Sequence, residues 1–281
     1  GVTANPDLLQ IRDGSLFCFY NERPATENAA HHFAIACAAS LDGGRTWGEP
    51  VRLYSAGSNF HEGCWEPAAI ELPSGEIQLF FANEAPYRQS DEQEITLLRS
   101  NDGGHSWGMP ETVCFRAGFR DGMPSPIILN DGTGIALAIE DNGFNGNLQP
   151  VIVFTSLKDN WRTGIISGAS ERRWSALQPI LPAGVYAGAP CLRQLPSGVT
   201  VLSFQQNDDG DLHKSRMVVC VGDTGARDFR IPSHPFPHDS GAPQLWNSLC
   251  VKNADIITAL STTTINGVWG LWSMDGRLVE E

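Results

Sequence analysis

The apolar residues of this 281-residue chain occur in short runs, and the pattern of runs repeats five times. Each repeat begins with a proline followed by an apolar stretch, and these prolines lie at positions 6, 67, 126, 190 and 243. The steps between them are 61, 59, 64 and 53 residues. Because a repeat of this length decides the architecture of a chain, we take each repeat as one structural unit.

The first four repeats continue through a turn of the Asp-Gly or Ser-Gly type into a second apolar run, which predicts a β-hairpin in each. These second runs are residues 16–20, 77–81, 135–139 and 199–204. All five repeats then have a third run after a polar loop, at residues 33–38, 95–99, 151–155, 217–221 and 268–272. A further turn and a fourth strand are expected to complete each repeat.

Five units of four short strands predict an all-β fold of the propeller type, formed as a single catalytic domain over residues 1–281. A β-sandwich is the alternative, but it gives no reason for five evenly stepped repeats. No segment has a sustained apolar period of 3.6 residues, so we expect little helix.

The turn after the third strand carries the sharpest motif of the sequence. Residues Ser40–Trp47 and Ser100–Trp107 both match S-x-D-x-G-x-[ST]-W, sixty residues apart. The Asp can accept backbone N–H bonds in the turn, the glycines permit positive φ, and the Trp can pack beneath. Weaker copies are expected at 156–161, 222–225 and 273–276. Asp42 and Asp102 are therefore interpreted as structural.

Composition excludes several classes of function. Asp and Glu number 32 against 19 Lys and Arg, and the resulting formal charge of −13 disfavours nucleic acid as a partner. No run of 18 apolar residues predicts a membrane-spanning helix. The seven cysteines have no zinc or redox spacing, and they are expected to be mostly buried thiols, which favours a reducing compartment. No motif for a metal or a cofactor is found, so neither is expected.

The predicted topology brings one group of loops to the end of each unit opposite the motif turns. Between units these loops hold residues 59–66, 120–123 and 186–188, and within units they hold 21–23, 83–84, 140–142 and 205–207. They are rich in carboxylates and include aromatic residues. Cleavage of a glycosidic bond needs one carboxyl to protonate the leaving oxygen and another to meet the developing positive charge. The loops therefore favour glycoside hydrolysis.

The motif turns resemble the Asp-box, or bacterial neuraminidase repeat (BNR repeat), of the sialidase superfamily. In addition, the order of Asn5-Pro6, the box at 40–47, Trp65-Glu66-Pro67, Asn83-Glu84, the box at 100–107, Arg120-Asp121-Gly122-Met123 and a strand ending in Glu140 is similar to the exo-1,5-α-L-arabinanases of glycoside hydrolase family 93. The similarity is good over residues 4–142 and loose beyond. It implies a retaining hydrolase with six blades, whereas five are visible here, so five or six blades remain open.

The resemblance implies a catalytic pair, Glu66 as nucleophile and Glu140 as acid/base, with Glu84 as the reserve candidate. The residues expected to bind or orient substrate beside Glu84 are Trp65, Arg120, Asp121, Tyr186 and Gln205. Each also has a structural alternative. Glu66 can accept backbone N–H bonds ahead of its proline, Glu140 can pair with Arg120, and the others can be loop anchors.

The expected partner is an oligosaccharide or polysaccharide, with α-L-arabinofuranosyl linkages as the predicted target. Two alternatives are an exo-sialidase and a non-catalytic carbohydrate-binding propeller. A sialidase clamps a carboxylate with three arginines, one just before the first proline, but Asn5 occupies that position here. The resemblance indicates a secreted or periplasmic protein, and the odd number of cysteines favours the cytoplasm, so localisation stays open.

Overall fold

The computed structural model describes residues 1–27, 30–237 and 241–278, and its regular structure is almost entirely β. Within these residues, nineteen strands form five antiparallel sheets, which we number as blades in chain order. Blades one to four have four strands each, and blade five has three within the described residues. In every blade the strands lie side by side in chain order, as the hairpin pattern predicts.

The strand bounds follow the predicted runs closely. Blades one and two consist of β1 (Val2–Gln10), β2 (Leu16–Arg23), β3 (Ala34–Ser40), β4 (Val51–Ser55), β5 (Cys64–Glu71), β6 (Ile77–Asn83), β7 (Glu94–Ser100) and β8 (Glu111–Cys114). Blade three consists of β9 (Asp121–Ile128), β10 (Gly134–Asp141), β11 (Gln149–Ser156) and β12 (Arg173–Ser175). Blades four and five consist of β13 (Tyr186–Gln194), β14 (Thr200–Asn207), β15 (Arg216–Gly222), β16 (Arg230–Ser233), β17 (Leu245–Val251), β18 (Ile256–Ile265) and β19 (Val268–Arg277). The helices within the described residues are two single 3-10 turns, Phe60–Glu62 and Leu212–Lys214.

The first strand of a blade contains a β-bulge that the sequence pattern did not reveal. The register of pairing with the second strand shifts between Ala4 and Asp7, Trp65 and Ala68, Gly188 and Cys191, and Leu245 and Ser248. The bulged residues have left-handed φ angles of 45° to 55°, and Met123 in β9 has the same conformation; the set is Asn5, Glu66, Met123, Ala189 and Trp246. One extra residue on the bulged strand re-aims the neighbouring side chains.

The bulges correct the alignment of two repeats. Pro6, Pro67 and Pro190 directly follow a bulged residue, but in β9 that place belongs to Pro124, not to Pro126. In β17 it belongs to Asn247, which lies beyond Pro243. Proline suits this place because it has no N–H to donate to a strand ladder. The last blade tolerates Asn at the same place, so proline alone does not mark the repeat.

The two full box motifs form the predicted turns between the third and fourth strands. Asp42 Oδ1 accepts the backbone N–H groups of Arg45 at 3.0 Å and Thr46 at 2.9 Å, and Oδ2 accepts the Thr46 hydroxyl at 2.6 Å. These hydrogen bonds, from the Thr46 side chain first, lower the pKa of Asp42 to about 2, and equivalent bonds from Ser106 do the same for Asp102. Both carboxylates thus accept hydrogen bonds from within their own turns, which agrees with their structural interpretation.

Two of the weaker copies form turns and the third does not. Asp159 and Asp223 lie in the turns that follow β11 and β15. The prediction of a turn at 273–276 is wrong, because these residues continue β19. Asp275 instead lies opposite Thr258 in the ladder, and its Oδ1 accepts the Thr258 hydroxyl at 2.6 Å. The carboxylate serves a cross-strand pair there and is not available to cap a turn.

The chain divides into two compact units, which we describe separately. Unit one comprises residues 1–126 with 163–168, and its core contains Phe19, Phe33, Ile35, Leu79 and Phe81 among other apolar side chains. Unit two comprises residues 127–162 with 169–281. It has one core that includes Ile152, Leu202 and Phe204, and a second that includes Met217 and Leu249. Whether the two units act as the single catalytic domain expected from the sequence stays a prediction.

All seven cysteines lie in strands and none forms a disulfide. Five of them are buried, which agrees with the expectation of mostly buried thiols. None of the described helices is long or apolar enough to cross a membrane.

Candidate functional site

Within a blade, the predicted site residues lie at the end opposite the box turn. In blade two, Trp65 pairs with Ala82 at one end of the β5–β6 ladder, while Ile77 pairs with Ser100 next to the other box at the opposite end. In blade four, Tyr186 pairs with Asn207 in the same manner. The first strand therefore begins, and the second strand ends, at the edge that carries the candidate chemistry.

Glu84 is the centre of a polar cluster in unit one. Its Oε2 accepts the indole N–H of Trp65 at 2.9 Å, and its Oε1 accepts Gln93 Nε2 at 3.2 Å and a hydrogen bond from Arg120 Nη2. Its side chain is only 9% exposed. A carboxylate that accepts from three donors, one of them a guanidinium, is fixed in position. The structure thus favours a positioning role for Glu84 over that of a reserve acid.

Trp65 has neighbours close to its ring. The centroid of the Phe33 ring lies 4.7 Å from that of Trp65, and the Arg23 guanidinium carbon lies 4.9 Å from the same ring. A sugar platform needs an open aromatic face. These contacts, together with the indole bond to Glu84, favour Trp65 as a residue that orders the cluster.

Arg120 and Asp121 join the same cluster through Gln93. Arg120 Nη1 donates to the Asp91 carbonyl oxygen at 3.0 Å, and the Asp121 N–H donates to the Gln93 carbonyl oxygen at 3.0 Å. Asp121 is fully buried, whereas about a third of the Arg120 side chain is exposed. Gln93 was not among the residues that the sequence singled out, and nothing in its local sequence marks it.

Glu66 occupies the bulge of β5, with a φ of 45° and a partly buried side chain. Non-glycine residues rarely adopt this conformation, and it persists only where the surrounding structure enforces it. Beneath it, burial and the negative charges of Glu66, Glu84 and Glu22 raise the pKa of the Cys64 thiol. The charges of Glu66 and Glu84 thus both act on Cys64, the first residue of β5.

Glu140 lies near the end of β10, and a backbone amide of blade four orients it. Glu140 Oε2 accepts the N–H of Ala189, the bulged residue of β13, at 2.8 Å. A methyl group added at Gly188 would lie 2.7 Å from that oxygen and 2.3 Å from the Tyr186 hydroxyl oxygen. The two oxygens are therefore separated by no more than the sum of those distances. Unit two thus brings Glu140 and Tyr186 together.

Gln205 continues this cluster toward blade five. Its Nε2 donates to the Tyr186 hydroxyl oxygen at 2.9 Å, and its Oε1 accepts the N–H of Trp246 at 3.0 Å. Gln205 is completely buried, so it is better described as a positioning residue than as a direct contact for substrate. The sequence pattern did not single out Trp246, because Pro243 marks the repeat in blade five and Trp246 lies beyond it.

The carboxylate of Asp141, the residue after Glu140, forms a buried ion pair. Asp141 is fully buried, and its Oδ2 accepts Arg173 Nη1 at 2.6 Å while Oδ1 accepts the Gly143 N–H at 2.6 Å. Across the described ranges, no group of three or more His, Cys, Asp or Glu side chains is placed to hold a metal ion.

Glu66 belongs to unit one and Glu140 to unit two, and their action as a pair stays a prediction.

Comparison with solved structures shows the fold. A protein of unknown function from Dyadobacter fermentans is 14% identical, with a TM-score of 0.70 over 98% of this chain and 76% of its own. An α-L-arabinofuranosidase of Fusarium graminearum is 16% identical, with a TM-score of 0.71 over 97% and 76%. An α-L-arabinanase of Penicillium chrysogenum, solved with arabinobiose, is 14% identical, with a TM-score of 0.65 over 97% and 76%. The all-β propeller fold predicted from the repeats is thereby confirmed, with five blades in this chain.

Comparison with curated protein sequences gives no match. Among protein families, the BNR repeat-like domain matches residues 14–181, a stretch that includes both full box motifs. This agrees with the BNR-repeat resemblance of the two turns. Since the match covers more than half of the sequence, the chain belongs to the BNR repeat-like domain family.

Proposed function

We propose that this protein is a retaining glycoside hydrolase that releases arabinose from the ends of α-L-arabinofuranosyl glycans. The observation that carries the proposal is the setting of Glu140, a carboxyl oriented by the Ala189 amide beside the Tyr186 hydroxyl. Fold similarity to an arabinofuranosidase and an arabinanase supports the choice of arabinose. The order of motifs that includes Glu66 and Glu140 supports the choice of the catalytic pair.

In the proposed reaction, Glu140 begins as the acid. The Ala189 N–H bonds to Oε2, so the proton for transfer is assigned to Oε1. That proton passes to the glycosidic oxygen as its bond to the anomeric carbon breaks, and the Glu66 carboxylate forms a bond to the same carbon. Glu140, now ionised, takes a proton from water, whose oxygen displaces Glu66. Arabinose leaves with its original anomeric configuration, and both carboxyl groups return to their starting states.

The proposal places a geometric demand on the two carboxyl groups. A retaining pair flanks the anomeric carbon with its carboxyl groups about 5–5.5 Å apart, whereas an inverting pair leaves about 6.5–9.5 Å for a water molecule. The product therefore reports on the pair directly. Proton NMR of the first sugar released is expected to show the α-anomer before mutarotation, and the β-anomer would exclude retention.

The activity is tested by measuring sugar release from linear arabinan, aryl glycosides and sialyllactose. We expect release from arabinan and from aryl α-L-arabinofuranoside. Glu66→Gln and Glu140→Gln should each lower kcat for arabinan about 10²–10⁴-fold, as expected for loss of a catalytic carboxyl. Glu71→Gln is the matched control, because Glu71 lies at the other end of the same strand as Glu66.

Azide distinguishes the two roles. With an activated aryl substrate, Glu140→Ala should still form the glycosyl-enzyme, and azide should rescue its turnover to give the α-azide. Glu66→Ala should give the β-azide, because azide replaces the nucleophile. Cleavage of sialyllactose alone would favour a sialidase, and binding of arabinan without release from any substrate would favour a non-catalytic binding propeller. Either result would contradict the proposal.

A further inference from the structure

Trp246 has an unusual combination of conformation and exposure. It is the bulged residue of β17, with a φ of 55°, and 58% of it is exposed to solvent. A bulky side chain in the left-handed region costs free energy and is uncommon. An exposed indole also gains nothing from burial in a core. Packing therefore does not explain why a tryptophan stands at this position.

The backbone of Trp246 is held in place from blade four. Its N–H donates to Gln205 Oε1 at 3.0 Å, and Gln205 Nε2 in turn donates to the Tyr186 hydroxyl at 2.9 Å. Gln205 is fully buried, so this amide has little freedom to move. Two hydrogen bonds thus connect the backbone of Trp246, which carries the exposed indole, to the hydroxyl that lies beside Glu140.

The setting of Trp246 differs from that of another exposed tryptophan in the same unit. Trp269, at 59% exposure, lies in the regular ladder of β19 opposite Thr264. It has no bulge and no described bond to the Glu140 cluster. The two residues are matched in type and exposure and differ in their connection to the candidate site.

We propose that Trp246 is a stacking platform for a sugar ring, and that the sugar is the one on the leaving-group side of the scissile bond. This assignment rests on the proposed function, in which Glu140 protonates the leaving oxygen. A ring that carries this oxygen lies next to Glu140, and Trp246 is the exposed aromatic tied to that residue through Gln205 and Tyr186. Indole faces bind the C–H side of sugar rings, while the nearby hydroxyl, amide and carboxyl groups suit sugar hydroxyls.

Binding is measured separately from hydrolysis, with linear arabinotriose as the probe. On the variant Glu66→Gln, which slows turnover, titration calorimetry is expected to show about tenfold weaker binding when Trp246→Ala is added. Trp246→Phe should recover most of the affinity, because a phenyl ring still offers a face. Trp269→Ala should leave the affinity unchanged. The melting temperature of each variant shows whether the fold is retained.

Intrinsic fluorescence gives a second measurement, because a sugar that stacks on Trp246 changes its emission. Arabinotriose should alter the emission of the wild type and of Trp269→Phe, and this change should be lost in Trp246→Phe. Unchanged affinity in a folded Trp246→Ala variant would overturn the assignment even if the enzyme cleaves arabinan. Loss of affinity in Trp246→Ala would sustain the platform even if no substrate were cleaved, and that result would overturn only the proposed function.

Discussion

The Ala189 amide reaches Glu140 because the bulge in β13 turns its N–H out of the ladder. The register shifts between Gly188 and Cys191, and the amide between them bonds to the Glu140 carboxylate instead of to β14. Trp246 repeats this in β17, where its amide bonds to Gln205. In both places a backbone donor fixes a side chain of the preceding blade. A backbone N–H has no side-chain rotamers, so such a donor can hold a functional side chain in one position.

Gly188 is the residue at which this arrangement is most open to a test. Its backbone lies outside the left-handed region, so alanine is tolerated by the main chain. The added methyl group, however, would lie 2.3 Å from the Tyr186 hydroxyl and 2.7 Å from Glu140 Oε2, so both groups must move. We expect Gly188→Ala to lower kcat/KM for aryl arabinofuranoside about 10²-fold, the cost of displacing a catalytic group by about 1 Å.

The control for this prediction is Gly225→Ala, in the turn that follows β15. There the nearest atom, Asp223 Oδ1, is 3.5 Å from the added methyl group, an ordinary contact. Its kcat/KM should match that of the wild type, and thermal unfolding should show both variants folded. Full activity in Gly188→Ala would mean that the position of Glu140 is not critical.

The box turn is an element that carries its own stabilising network. Ser40 and Asp42 supply the acceptors, Gly44 supplies a φ of 84°, and the Gly44 N–H donates to Ser40 Oγ at 2.9 Å. In the second box, Trp107 packs edge-on against Phe19 of blade one, with ring centroids 5.7 Å apart. The same motif thus closes its own hairpin and contributes to the packing of a neighbouring blade.

The two box carboxylates make a prediction about acid stability. Hydrogen bonds lower the pKa of Asp42 and of Asp102 from 3.8 to about 2, so the folded state favours their ionised forms. This contribution is present above pH 3.8 and is lost as the pH falls toward 2. We expect Asp42→Asn and Asp102→Asn each to lower the melting temperature at pH 7, by an amount that shrinks between pH 4 and 2.

Thermal unfolding of the wild type and both variants across this pH range is the measurement. Asp255→Asn serves as the control, since Asp255 is exposed in the β17–β18 turn and has no box partners. A difference in melting temperature that stayed constant down to pH 2 would mean that the carboxylates do not stabilise the turns as anions.

At the level of elements, most strands were predictable from the sequence. The second and third strands of each blade were predicted from apolar runs bounded by turns, because both signals are local. The prolines predicted the position of the first strands less accurately. The segment Met123-Pro124-Ser125-Pro126 contains two prolines, and only Pro124 directly follows the residue with left-handed φ. The bulges themselves are set by pairing between strands, and a single sequence does not display pairing.

At the scale of the whole molecule, the repeats predicted the fold better than the site. The repeat period identified the propeller because each unit needs only its own strands and turns. The site clusters depend on contacts between blades, as when Arg120, which precedes β9, bonds to Glu84, which follows β6, or when Gln205 holds Trp246. These partners are separated widely in sequence or have no motif. Loop position placed Glu84 and Gln205 near the candidate chemistry, but only the contacts favour a positioning role for both.

The reactivity of the cysteine thiols reports how well the blades exclude solvent. Cys250 is exposed, whereas Cys37, Cys64, Cys114, Cys191 and Cys220 are buried and Cys18 is half-buried. Burial also raises the pKa of Cys37 and of Cys220 to about 12, and the thiolate is the reactive form. At pH 8 we therefore expect a thiol reagent to modify Cys250 rapidly and the buried thiols only after denaturation.

Cys250→Ser should remove the rapid phase of that reaction, and Cys18→Ser should retain it. Mass spectrometry of the labelled protein identifies the modified residue, and complete labelling in denaturant confirms that every thiol is reduced. Rapid modification of a buried cysteine in Cys250→Ser would show that its blade opens readily. Two of the buried thiols are the most informative. Cys64 lies two residues before Glu66 in β5, and Cys191 lies two residues after Ala189, whose amide holds Glu140. Protection of both would indicate that the two strands are rigid enough to hold catalytic groups.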